Sequence, residues 1–166
     1  APFLNRGINP YLSGSIIKIA SSIMLLEEGF DGNTLYDCNE RYITHKRDTL
    51  VLGSEDKYRS CHANHKDSVS LKKAISESCN VYFYETVQLI KLNEWISTAK
   101  KFGFNQLTEI DLPNEIVGLI PDKEFFIDTY GRWGWSERGV LLNMTLGQGD
   151  ILVTPLQSLR YINHIA

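Results

Sequence analysis

Residues 30–67 constrain the fold of this chain more than any other stretch. They carry Asp, Asn, Lys, Arg and His where a core would need apolar side chains, and they lie between segments of helical pattern. A segment this polar cannot offset its own ordering entropy by burial. It reads as an irregular insertion that some device must hold, with short β-like pieces at residues 42–44 and 49–52. Such pieces are too few to close a sheet, so any larger sheet needs strands from outside this chain.

On either side the pattern is helical. Residues 15–28 place Ile16, Ile19, Ala20, Ile23, Met24 and Leu26 at the spacing of a buried helix, with Gly29 positioned to end it. Ser70 is an N-cap residue for a helix that starts at Leu71. Residues 81–90 form a further helix offering Phe83, Tyr84 and Val87 to a core, and residues 93–102 another, ended by Gly103. Residues 109–121, with Pro113, Gly118 and Pro121, read as an extended loop. Thr154-Pro155 is an N-cap followed by proline at the first helical position, opening a helix from Pro155 to at least Ile165.

Composition excludes some classes of function. The formal net charge is -3 and there is no Lys/Arg cluster, which argues against nucleic acid as a partner; Lys72-Lys73 reads as a solvated helix face. No stretch approaches the roughly 20 apolar residues of a membrane span. The best candidate, residues 15–26, is interrupted by Lys18 and by Ser21-Ser22. The chain opens on Ala1-Pro2-Phe3 and stops at Ile165-Ala166 inside a helical pattern, so it is expected to be an excised piece.

Two short motifs carry chemistry. In Ser13-Gly14-Ser15-Ile16-Ile17-Lys18, Lys18 follows Ser15 by one helical turn, on nearly the same face. A buried lysine loses part of its preference for the charged form, so its amine can take the serine proton. At a helix N-terminus the hydroxyl also sits among backbone N–H groups able to stabilise an oxyanion. Against this stands the plain alternative of a serine cap beside a solvated lysine. Further on, Ser78-Cys79-Asn80 lies between two helices. Its hydroxyl can relay a proton and its amide can hold a substrate amide, although a helix break with local capping would use the same residues.

The two motifs in this order occur in penicillin-binding proteins and serine β-lactamases, and other segments narrow the resemblance. Residues 5–11, Gly14 to Lys18, and residues 71–85 around Ser78-Cys79-Asn80-Val81-Tyr82 are similar to class B penicillin-binding proteins. So are Phe102-Gly103-Phe104, Ile110-Asp111-Leu112-Pro113, Gly118-Leu119-Ile120-Pro121, Gly147-Gln148-Gly149 and Val153-Thr154-Pro155-Leu156-Gln157. Within that class the chain most resembles the elongation type, penicillin-binding protein 2.

The resemblance implies a mixed α/β fold, here the mainly helical part of a transpeptidase or serine β-lactamase-like domain over residues 1–166, with part of the sheet missing. It implies a peptidoglycan D,D-transpeptidase acting in cell elongation and acylated by β-lactams. Ser15 would be the nucleophile and Lys18 the general base, while Ser78 and Asn80 would shuttle the proton and position the donor stem peptide. The implied partners are stem peptides, β-lactam antibiotics and membrane proteins of the elongation complex. The implied place is the periplasmic face of the bacterial inner membrane, with the membrane anchor outside this chain. A β-lactam-binding sensor domain and a serine β-lactamase are the alternatives. Two departures stand out: Ser13 replaces the family's usual proline, implying a looser approach loop, and the Lys-Thr/Ser-Gly motif is absent. Without that third motif the piece alone is expected to label slowly, if at all.

Three cysteines, Cys38, Cys61 and Cys79, cannot all pair within the chain. With His65, or alternatively His62, they make a closed set suited to structural zinc, and some relatives are similar at these positions. The zinc would hold the insertion; the chemistry itself requires no cofactor. A Cys38–Cys61 disulfide with Cys79 buried, or three separate thiols, are the competing readings. His45 reads as a surface residue and His164 as structural. Trp133 and Trp135 flank Gly134 in a loop-like stretch, either lining a substrate groove or anchoring the core.

Overall fold

A computed structural model describes residues 5–45, 57–65 and 67–166, the side chains of His45 and Lys57 excepted. A 3₁₀ turn at Gly14–Ile17 runs straight into α1 (Lys18–Glu27). Ser15 therefore lies within the turn, and the regular helix begins three residues later than its apolar pattern suggests. The helix ends as expected: Gly29 takes φ 84°, its N–H donates to Leu26, and the Phe30 N–H donates to Leu25.

Two small antiparallel pairings lie in the described part of the insertion and at its edge. β1 (Tyr36–Asp37) pairs with β4 (Ser68–Val69), and β2 (Arg41–His45) pairs with β3 (Lys57–Ser60). The β-like piece at residues 42–44 falls inside β2, whereas residues 49–52 lie outside the described residues. The insertion contributes a few side chains to the core. Tyr42 is buried and stacks on Tyr84, and Cys38 is buried as well.

α2 (Leu71–Ser76) starts at Ser70, whose hydroxyl accepts the Lys73 N–H. α3 (Asn80–Thr86) follows almost at once and passes into a 3₁₀ turn at Val87–Leu89. α4 (Leu92–Lys101) is closed by Gly103 at φ 84°. The loop over residues 109–121 has no regular helix or strand, and its Leu119 forms an isolated β-bridge with Leu152. Two helices escape the sequence pattern, α5 (Lys123–Tyr130) and α6 (Glu137–Met144). Each opens with a side-chain cap, Asp122 on Phe125 and Ser136 on Gly139. α7 (Pro155–Ile165) carries the anticipated Thr154 cap, completed by Gln157 reaching back to the Thr154 N–H.

α1 forms the centre, packed against α2 and α4. The buried Trp95 of α4 donates its indole N–H to Ser21 of α1 at 3.0 Å. Tyr161 of α7 packs between Phe102 and Phe104 and points its hydroxyl at the Ile16 carbonyl, 3.4 Å away. Gln157 is fully buried, and its amide donates to the carbonyls of Gln106 and Val117, both at 2.7 Å. These contacts fix α7 beneath the turn that carries Ser15. Among the described residues no helix is long and apolar enough to cross a membrane.

Candidate active site

Lys18 is the hinge of the site. It is 1% exposed, and its amine donates three hydrogen bonds, to the Ser78 carbonyl (2.7 Å), the Ser78 hydroxyl (2.9 Å) and the Asn80 side-chain oxygen (2.7 Å). The Phe83 ring lies 5.5 Å beneath it. The first and second motifs, sixty residues apart in sequence, thus meet through one nitrogen. Burial lowers its pKa from 10.5 to about 8, against an opposing pull from the Cys61 and Cys79 sulfurs. The alternative of a solvated lysine beside a serine cap does not hold. Ser15 is exposed on the turn one helical turn before Lys18, and its hydroxyl has no hydrogen-bond partner among the described residues.

The second motif owes its shape to an unusual helix end. Ser78 occupies the position after α2 where glycine is the common choice, with φ 53°. The Ser78 N–H donates to Ile75 and the Cys79 N–H to Ala74. A left-handed serine costs about 1–2 kcal/mol. In return, the reversal starts α3 immediately at Asn80 and turns both oxygens of Ser78 toward Lys18. Local strain of this kind collects at functional sites.

The turn in front of Ser15 is held from the opposite side. The Gly14 N–H donates to the Gly147 carbonyl at 2.9 Å. Gly147 sits at φ 70°, and a Cβ there would come within 2.1 Å of the Gly14 oxygen and 2.4 Å of the Ser13 hydroxyl. The Gly-Gln-Gly landmark of the sequence therefore has a physical role as the backbone cradle of the candidate nucleophile. Ser13 has φ -68°, a value proline also takes, and its hydroxyl is buried without a partner. The loop is pinned by backbone contacts even with serine at that position.

Cys38, Cys61, His65 and Cys79 converge behind the second motif, with their ligand atoms all within 4.8 Å of one another. Cys61 Sγ lies 3.4 Å from His65 Nε2 and 4.0 Å from Cys79 Sγ. A tetrahedral zinc with ordinary Zn–S and Zn–N bonds needs ligand separations of about 3.5–3.8 Å; the donor set suits the ion, and its wider pairs, up to 4.8 Å apart, would have to close around it. Glu77 Oε2 sits 2.8 Å from His65 Nδ1, which leaves Nε2 free to face the sulfurs. Nothing in the sequence singled out Glu77. His62 is exposed and touches Cys61 only at 3.8 Å, outside the converging set.

All three cysteines are free thiols, so the Cys38–Cys61 disulfide reading does not describe this structure. Burial raises the Cys61 thiol, but hydrogen bonds from the Ala63, Val81 and Asn80 backbone and from His65 outweigh it and bring it to about 6. Burial drives Cys79 the other way, to about 12.

The remaining candidates divide. Trp135 stacks on Phe126 at 5.2 Å and anchors locally, whereas Trp133 is 89% exposed and anchors nothing. His164 is exposed, and among the described residues its ring bonds only to the Arg160 carbonyl of its own helix.

Three comparisons bear on this geometry. The family model of the penicillin binding protein transpeptidase domain matches residues 2–166. The peptidoglycan D,D-transpeptidase MrdA of Acinetobacter baumannii is 34% identical over 109 residues, covering 63% of this chain and 15% of that protein. Penicillin-binding protein 2 of Helicobacter pylori, solved in complex with MreC, superposes with a TM-score of 0.86 at 32% identity. The match covers 99% of this chain and 29% of that one. Pseudomonas aeruginosa penicillin-binding protein 2, in complex with WCK 5153, gives 0.80 at 26% identity over 95% of this chain and 34% of its own. The chain thus spans less than a third of the Acinetobacter and Helicobacter relatives.

Proposed function

This chain belongs to the penicillin-binding protein transpeptidase family, and from that premise we propose that it is the nucleophile-bearing part of a peptidoglycan D,D-transpeptidase of the elongation type. Residues 1–166 form part of the transpeptidase domain, with residues 30–67 as an insertion stabilised by metal.

Ser15 attacks the carbonyl carbon of the penultimate D-Ala of a donor stem peptide, and its proton passes to Lys18. As an ammonium Lys18 spends all three N–H donors on Ser78 and Asn80. As a neutral amine it retains two and frees a lone pair for that proton. The C–N bond breaks, and Lys18 returns the proton through the Ser78 hydroxyl to the departing D-Ala amine. Asn80 holds the peptide amide. An amine from a neighbouring strand then attacks the acyl-enzyme, loses a proton to the same relay and releases Ser15. A β-lactam enters by the first step alone.

The zinc held by Cys38, Cys61, His65 and Cys79 is structural and takes no part in these steps. The whole protein works on the periplasmic face of the inner membrane, anchored by a helix outside these residues. A protein of the MreC kind, seen with the Helicobacter relative, is among its partners. No observation favours the sensor or β-lactamase alternatives.

The single observation that carries this reading is the contact of the buried Lys18 amine with both Ser78 and Asn80. The test is to treat the full-length parent protein with benzylpenicillin and locate the adduct by mass spectrometry. The penicilloyl group is expected on Ser15; an adduct on any other residue, or none, overturns the proposal.

A further inference from the structure

A second candidate site is an open depression in the surface formed around α5 and α6. It is a cavity of about 510 Å³ lined chiefly by Tyr130, Trp133, Trp135, Ser136, Asn143 and Asp150, within the usual size range for small-ligand sites. Its aromatic wall is built with care. Gly131 turns the chain at φ 74°, and at Gly134 a Cβ would meet the Tyr130 carbonyl at 2.0 Å, so the turn closes only with glycine there. Trp135 is fixed by its stack on Phe126, and the Tyr130 hydroxyl donates to Asp150 Oδ1 at 2.8 Å.

Trp133, by contrast, is 89% exposed, with the Arg132 guanidinium 5.3 Å from its ring. The Asn143 side-chain amide has no hydrogen-bond partner among the described residues, and the second Asp150 oxygen accepts none. An open indole face next to a free amide and a free carboxylate oxygen is the chemistry that recognises a sugar ring. The apolar C–H face of the ring packs on the aromatic, while its hydroxyl and acetamido groups bond the amide and carboxylate.

The cavity is also connected to the nucleophile. The Asn143 carbonyl accepts the Leu146 and Gln148 N–H groups, and Gly149 packs on the Asn143 side chain. Between them Gly147 holds Gly14. We infer that this cavity is a saccharide subsite that binds the N-acetylated glycan backbone of the strand whose stem peptide reaches Ser15. The inference rests on the transpeptidase reading above. Exposed Trp, Tyr and Arg also mark protein interfaces, but the unpaired Asn143 amide and Asp150 oxygen beside the open indole favour a small polar ring.

The test uses the full-length parent protein and a soluble, peptide-free oligosaccharide of alternating N-acetylglucosamine and N-acetylmuramic acid, measured by calorimetric titration. The saccharide should bind saturably, and Trp133→Ala should weaken it by about tenfold or more, with penicillin labelling of Ser15 unchanged. Asp150→Asn should weaken binding less. No saturable binding, or equal binding by Trp133→Ala, overturns the subsite. Trp133→Ala protein that keeps the saccharide but loses a co-purifying protein overturns it too and assigns the surface to that partner. Failure of the transpeptidase reading is separable, because it appears as absent penicillin labelling in the unaltered protein whatever the saccharide does.

Discussion

The backbone N–H of Asn80 donates to the Cys61 sulfur at 3.2 Å, so the second motif hangs directly from the thiol cluster. The buried Cys79 lies in sequence between Ser78 and Asn80, and both of those side chains touch Lys18. The cluster and the candidate catalytic groups therefore share one short length of backbone. Whatever holds the sulfurs sets the angle at which Ser78 and Asn80 enter the site.

The first prediction follows from that connection. Protein purified without chelator should contain about one zinc per chain by elemental analysis. Removing it, or making Cys61→Ser, should lower the melting temperature and slow acylation by a β-lactam while the adduct stays on Ser15. Metal-free protein with a Cys38–Cys61 disulfide and full acylation rate would refute it.

A second prediction concerns the cradle on the other side. Gly147→Ala places a Cβ against the Gly14 oxygen and the Ser13 hydroxyl, at a φ that disfavours alanine. Neither neighbour can withdraw without moving the turn that carries Ser15. The substitution should cost about 2 kcal/mol or more, read as a lowered denaturation midpoint, and should abolish penicillin labelling. Gly29→Ala, at a left-handed position with no atom within 4 Å of the added Cβ, should cost about 1 kcal/mol and leave labelling intact.

Much of this was legible in the sequence wherever a local rule governs the outcome. Gly29, Gly103, Ser70 and the Thr154-Pro155 pair each mark a helix end through the conformation or hydrogen bond that the end requires. Lys18, Ser78 and Asn80 were joined in one site only through the family resemblance, since no local rule brings those residues together. α5 and α6 were missed because each is eight residues long, with few buried positions to set a period. The β1–β4 pairing joins residues about thirty positions apart in the chain, and no local pattern announces it. Glu77 was silent for the same reason, and Phe83, legible as a core side chain, gave no sign of lying under Lys18. Each acts through a neighbour, His65 or Lys18, that only the fold supplies.

The lowered Lys18 pKa sets the pH behaviour. Acylation needs the neutral amine, so its rate should fall as pH drops below about 8, approaching tenfold per pH unit well below that value. Stability should move the same way. The native lysine titrates near 8 and the unfolded one near 10.5, so between those values the unfolded chain binds more protons and stability rises with pH. The burial cost is fully present below pH 8 and amounts to about 3 kcal/mol. Stopped-flow acylation between about pH 6 and pH 9 measures the first effect, and a flat profile would contradict it.

The most direct test of the account is the acylation rate of Lys18→Arg in the full-length parent, measured with a fluorescent penicillin. Arginine keeps the positive charge that Ser78 and Asn80 hold, but it cannot give up its proton to serve as a base. The account predicts a fall of about 100-fold or more, with any residual adduct still on Ser15 and the protein still folded by its melting transition. Acylation at the unaltered rate by a folded Lys18→Arg protein would contradict it, reducing the lysine to a strut between the two motifs.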